Sequence, residues 1–134
     1  MAVLCGSDIV KVSRVQDSIE KTGEDFLKKI YTQGEIEYCE SRRMCKFQSY
    51  AARVAAKEAV FKAISPMKIE GSSWQDIEVY KLENGNPKIH LYGYLKEVAD
   101  HKHITDDMID VSLSHDADFA IATAVIEYNE KEGI

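Results

Sequence analysis

Arg53-Val54-Ala55-Ala56-Lys57-Glu58-Ala59-Val60-Phe61-Lys62-Ala63 decides the fold of this chain. It sits inside a helical pattern running from roughly Gln48 to Ser65, where Ser65-Pro66 stops it. Ala51, Val54, Ala55 and Phe61 make one apolar stripe, and Ala52, Ala56, Ala59, Val60 and Ala63 make a second on the opposite side. A helix apolar around most of its circumference is buried, so the rest of the chain must wrap this segment. Glu58 falls within the first stripe, with Lys62 one turn on. A buried carboxylate without a cation costs several kcal/mol, so either Lys62 or some other cation must neutralise it.

Outward from that helix, Val3 to Ile9 is rich in β-formers and reads as a strand that places Asp8 at its C-terminal end. Val12, Val15 and Ile19 recur at helical spacing until Gly23, and Phe26, Leu27 and Ile30 suggest a second short helix. Thr32 followed by Glu35 is a capping-box pattern opening a helix through Ile36, Cys39 and Arg43. Beyond the central helix, Ile77 to Leu82 and Ile89 to Leu91 flank Asn84-Gly85-Asn86, a hairpin signal. Leu95, Val98 and Ala99 mark a further helix. Ile109 to Ser114 and Phe119 to Val125 alternate as a second hairpin around His115 to Asp118, and Tyr128 to Ile134 reads as a frayed surface tail. Strand, helices, hairpin, helix, hairpin is an α+β order, with antiparallel strands packed on a long central helix.

At 134 residues the chain has the length of one domain, 1–134. An apolar fraction of 45% with 30% charged residues is that of a soluble globular protein, and no apolar run approaches the roughly 18 residues of a membrane span. The start lacks the basic and small-residue features of a signal peptide, so a cytoplasmic location is expected. Cys5, Cys39 and Cys45 show no metal or disulfide spacing and are expected as reduced thiols. The net charge of -6 argues against bulk nucleic-acid binding, which needs a basic footprint. Yet residues 11–53 hold nine Lys or Arg against seven Asp or Glu, and the remainder eight against sixteen. That face is either a solvated helical surface or one that steers an acidic partner.

Asp8 alone could cap the following helix, and Glu58 alone could pair with Lys62. Two carboxylates converging from separate elements instead need a proton or a hard divalent cation between them. Oxygen ligands favour Mg²⁺, which keeps several waters and completes its shell with substrate phosphates. Ser112, Ser114, His115 and Asp116 are not a hydrolase triad, because neighbouring strand residues point to opposite faces. His115 is either a turn histidine or a phosphate ligand.

Three segments, Gly6-Ser7-Asp8-Ile9-Val10, the central Arg53 to Ala63 stretch, and Val111-Ser112-Leu113-Ser114-His115, resemble holo-acyl-carrier-protein synthase, the short phosphopantetheinyl transferase family. The resemblance covers nearly the whole chain, including Tyr31 to Cys39 and Asn84-Gly85-Asn86-Pro87. It implies the phosphopantetheinyl transferase fold, a homotrimer, and Mg²⁺-dependent transfer of 4'-phosphopantetheine from coenzyme A to a serine of apo acyl carrier protein. Asp8 and Glu58 would hold the metal, and Lys62 would contact phosphate. Arg53 and His115 would meet the 3'-phosphate and adenosine, and Asn84, Gly85 and Pro87 would line the nucleotide. Arg14 would meet the acidic carrier protein. Glu35 aligns with an acidic family position that could act as general base, beside its capping reading. One departure is Ser65-Pro66-Met67, where the family has a Gly-Thr-Gly turn. Another Mg²⁺ enzyme of nucleotide pyrophosphates, such as a hydrolase, would use the same carboxylates, and a non-catalytic trimeric binding module that keeps the fold would bind the coenzyme without needing them.

Overall fold

The structure, a computed structural model, describes residues 1–129. Strand β1 (Ala2–Lys11) leads into helices α1 (Val12–Thr22), α2 (Glu24–Ile30) and α3 (Gln33–Ser41). The long helix α4 (Lys46–Ile64) follows, then a hairpin of β2 (Ile77–Lys81) and β3 (Pro87–Leu91). Helix α5 (Gly93–His101) connects to a second hairpin, β4 (Ile109–Asp116) and β5 (Phe119–Tyr128). The larger sheet is antiparallel in the order β1-β5-β4, and β2-β3 stands apart as a two-stranded ribbon. This is the expected α+β arrangement of antiparallel strands packed on a long central helix.

The sheet's pleat sorts residues cleanly. Ala120, Ala122, Ala124 and Ile126 of β5 face inward and are buried, while the residues between them are exposed. Asp8 pairs with Ala122 and so does Leu113, which puts Asp8 on the inward face of β1. Val10 and His115 flank Ala120 in the next row. That inward face lies against α4, whose Ala55, Ala56, Ala59, Val60, Ala63 and Ile64 join the main core. Small residues on α4 let the helix approach the sheet closely, and Gly6 takes this to its limit. A Cβ there would stand 2.3 Å from the Ala59 carbonyl oxygen and 2.7 Å from the Ala63 nitrogen, both backbone atoms. Only glycine permits the contact that brings Asp8 beside the C-terminal half of α4.

Several expectations shift in detail. Helix α3 ends at Ser41, and Arg43 lies in a separate 3-10 turn with φ 52, so the capping-box helix does not run through it. Strands β4 and β5 extend to Asp116 and from Phe119, leaving only Ala117 and Asp118 as the turn, with Ala117 at φ 52. Tyr128 is buried as the last residue of β5 rather than part of a frayed tail; residues 130–134 of that tail lie outside the described residues.

Candidate active site

Asp8, Glu58 and Lys62 converge where β1 crosses α4. Lys62 Nζ donates to Asp8 Oδ1 at 2.9 Å and to the Ser7 carbonyl at 3.0 Å, so it bridges to β1 instead of neutralising Glu58 along its own helix. The hydrogen bond to Asp8 holds the Lys62 ammonium above its ordinary range. Glu58 is partly buried and accepts no hydrogen bond among the described residues. Its carboxyl is pushed up, first by burial and then by the Asp8 charge, with Lys62 opposing. Two converging carboxylates, the Glu58 one without a donor, form the hard-oxygen donor set that a divalent cation such as Mg²⁺ suits. The fit is to a water-rich ion, since no group of three or more ligating side chains occurs among the described residues.

A separate cleft of about 370 Å³ is lined on the sheet side by Leu113, Ser114 and His115 of β4. Arg53 and His115 both line it, as do Tyr38, Arg42, Lys81 and Ser114. Three cations surround one ring: the Arg53, Arg42 and Lys81 charges lie 4.3, 5.9 and 5.5 Å from the Tyr38 centroid. Burial alone would raise the Tyr38 hydroxyl, but the hydrogen bond to Lys81 and the three cationic charges outweigh it and bring it below its ordinary range. Arg53 is 3% exposed, and its Nε has no hydrogen-bond partner. A buried guanidinium with an orphan donor, in a cleft walled by cations, is built for a multiply charged anion. A roomier depression of about 780 Å³ between Pro66, α5 and Tyr128 brings no paired carboxylates together; chemistry rather than volume locates the site.

The remaining expected residues separate. Asn84 and Gly85 form the tip of the β2-β3 hairpin, where Asn84 Oδ1 accepts from the Asn86 nitrogen at 2.9 Å, and neither lines the cleft. Pro87 is closer to it in register, pairing with Lys81. Arg14 stands exposed on α1. At the departure from the family pattern, the Ser65 and Met67 nitrogens bond back to the Lys62 and Ile64 carbonyls and Pro66 has no N–H, so residues 65–67 offer no backbone donor to a ligand.

Glu35 does not face this site. Its carboxylate is 1% exposed, completes the capping box on Thr32, accepts from the Val79 nitrogen at 2.7 Å, and is ion-paired at 2.7 Å with Lys57, itself fully buried. A general base needs an open lone pair beside the reacting hydroxyl, and an enclosed carboxylate holding a lysine has none. The capping reading therefore stands and the base reading is withdrawn. Burial lowers the proton affinity of Lys57, while the charge and hydrogen bond of Glu35 oppose that. Lys57, Tyr38, Arg42 and Lys81 escaped the sequence reading. The cleft cations lie up to forty positions apart, and only the capping box of α3 hints that Glu35 and its neighbours face inward.

The fold and these two subsites define a phosphate-handling enzyme of the carboxylate-and-cation kind. Residues 4–124 match the model of the 4'-phosphopantetheinyl transferase superfamily, ACPS, and the chain belongs to that family. A holo-[acyl-carrier-protein] synthase of Ruminiclostridium cellulolyticum is 44% identical over 130 residues, covering 97% of this chain and 96% of the relative. Another, of Solibacter usitatus, is 42% identical over 127 residues, with 95% and 99% covered. Among solved structures, the Helicobacter pylori holo-[acyl-carrier-protein] synthase in complex with coenzyme A superposes with a TM-score of 0.78 at 32% identity, over 92% of this chain and all (100%) of that one.

Proposed function

We propose that this enzyme transfers 4'-phosphopantetheine from coenzyme A to a serine hydroxyl of apo acyl carrier protein, releasing adenosine 3',5'-bisphosphate. The serine oxygen bonds to the phosphorus bearing the pantetheine arm, and the bridging P–O bond of the pyrophosphate breaks toward the nucleotide. The single observation that carries the reading is the convergence of Asp8, Glu58 and Lys62 where β1 crosses α4. The Asp8, Glu58 and Lys62 cluster suits a pyrophosphate, and the cleft holding Arg53 and His115 suits the terminal 3'-phosphate. Asp8 and Glu58 would hold Mg²⁺, which supplies charge screening for the leaving group when bound. Lys62, poised on Asp8, adds a point charge toward phosphate oxygens. Arg53 and His115 fix the nucleotide end, so the attacked phosphorus is oriented before the carrier arrives. Pro87, paired with Lys81, flanks the nucleotide from the hairpin side while Asn84 and Gly85 stand at the hairpin tip outside the cleft, and Arg14 presents positive charge to the acidic carrier.

We place the working form as a homotrimer. The outer face of the β1-β5-β4 sheet leaves Val3 63% and Ile9 59% exposed beside Phe119, Ile121 and Val125, an apolar surface that a lone domain would not keep wet. The cysteines are free thiols, as a reducing cytoplasm maintains them, and no helix among the described residues is long and apolar enough to cross a membrane. The function is tested by incubating the protein with coenzyme A, Mg²⁺ and an apo acyl carrier protein and weighing the carrier. Gain of one phosphopantetheine mass supports it. Release of nucleotide without any carrier would point to a hydrolase instead.

A further inference from the structure

Glu35 and Lys57 make a fully buried ion pair to which the transfer chemistry assigns no task. Lys57 Nζ lies 2.7 Å from Glu35 Oε1 and donates also to the Ile30 carbonyl at 2.8 Å and the Trp74 carbonyl at 3.0 Å, which uses all three of its protons. Glu35 accepts from the Thr32 nitrogen at 2.9 Å and from the Val79 nitrogen at 2.7 Å. The pair thus ties α4 to two stretches of chain, residues 30–35 and residues 74–79. Buried pairs of this kind contribute little net stability against apolar replacements, so their physical use is to specify one arrangement.

The cationic cleft rests on the elements that this pair joins. Tyr38 lies one turn beyond Glu35 on α3, with Arg42 at the end of that helix. Arg53 lies one turn before Lys57 on α4, on the same side of the helix. Lys81 lies two residues beyond Val79 on β2, on the same face of the strand. Arg42, Arg53 and Lys81 repel one another around the Tyr38 ring, so an empty cleft would tend to open unless its three supports were tied together. We propose that Glu35 and Lys57 are positioning residues for this cleft, locking α3, α4 and β2 at the spacing that lets their cations grip one terminal phosphomonoester. The inference rests on the reading of the cleft as the seat of the 3'-phosphate of coenzyme A.

The test compares coenzyme A with 3'-dephospho-coenzyme A as donors to one apo carrier protein. Lys57→Met keeps the aliphatic stem and removes Nζ. The double variant Glu35→Gln with Lys57→Met also removes the buried charge left behind, and it carries the test should the single variant not fold. The wild type is expected to show a lower KM for coenzyme A than for the dephospho donor. In the variants that KM rises about tenfold, the worth of one charge-assisted hydrogen bond, while kcat and the KM for the dephospho donor stay within about twofold. A preserved preference for coenzyme A in a folded variant overturns the proposal. Equal losses with both donors also overturn it, and a large fall in kcat with both would make Glu35 the proton acceptor. A wild type indifferent to the 3'-phosphate would instead overturn the reading of the cleft, and the inference with it.

Discussion

Replacing Gly6 with alanine tests how the site is assembled without touching any group in it. The added methyl would meet the Ala59 carbonyl oxygen at 2.3 Å, the Ala63 nitrogen at 2.7 Å and Lys62 Cβ at 2.9 Å. Ordinary contact for such a carbon begins near 3.4 Å, and two of the three obstacles are helix backbone that no rotamer change can move. Strand β1 must therefore withdraw from α4 by about 1 Å, and Asp8, two residues along the same face, moves with it. Overpacking of this kind costs about 1–3 kcal/mol of stability, and a shift of that size at a reacting centre costs about 100-fold in rate. Urea denaturation gives the first number, and the carrier mass assay on folded protein gives the second. Gly23→Ala is the control: Gly23 also needs its positive φ of 55, but its Cβ would meet only the Ile19 carbonyl at 4.0 Å, far from α4. That variant loses stability and keeps its rate per folded molecule. Wild-type rate and stability in Gly6→Ala would refute the close-approach argument.

Three further outcomes are expected. Arg14→Glu raises KM for the carrier protein about tenfold at low salt and less at high salt, with KM for coenzyme A unchanged; a change in the coenzyme value instead would remove Arg14 from the carrier surface. Burial and Asp8 raise the Glu58 carboxyl, so the folded chain binds that proton more tightly than the unfolded one, and metal-free stability falls as pH rises from the ordinary carboxylate range through the raised value. A cation that binds only the ionised form must displace the proton, so the acid limb of the transfer rate moves down by up to about one pH unit per tenfold increase in Mg²⁺; a limb insensitive to Mg²⁺ would exclude Glu58 as its origin. Ile121→Glu, cross-strand from Ile9 on the outer sheet face, reduces the solution mass by light scattering from roughly three times 15.2 kDa to one protomer, and an unchanged mass would put the subunit contact elsewhere.

The central helix was legible because burial on two sides leaves an alanine pattern that no surface helix shows. The capping box was equally plain, since Thr32 and Glu35 interact locally. What local reasoning missed were pairings across elements. Spacing matched Lys62 with Glu58 at i+4, yet the close approach at Gly6 puts Asp8 nearer to the ammonium. Lys57 reads as a solvated residue because lysine is almost never fully buried unless paired, and its partner lies 22 positions away on another helix. The glycine of Gly6-Ser7-Asp8 was visible as a motif, but its reason, a helix backbone pressed against the strand, exists only in three dimensions.

Asp8 and Glu58 are proposed to form one cation site. Free Mn²⁺ followed by electron paramagnetic resonance, during titration of the protein with adenosine 3',5'-bisphosphate present, measures it directly. One ion bound per protomer, lost alike in Asp8→Asn, in Glu58→Gln and in the double variant, is the predicted result, because ligands of one ion act as a unit. Undiminished Mn²⁺ binding in either single variant would contradict it.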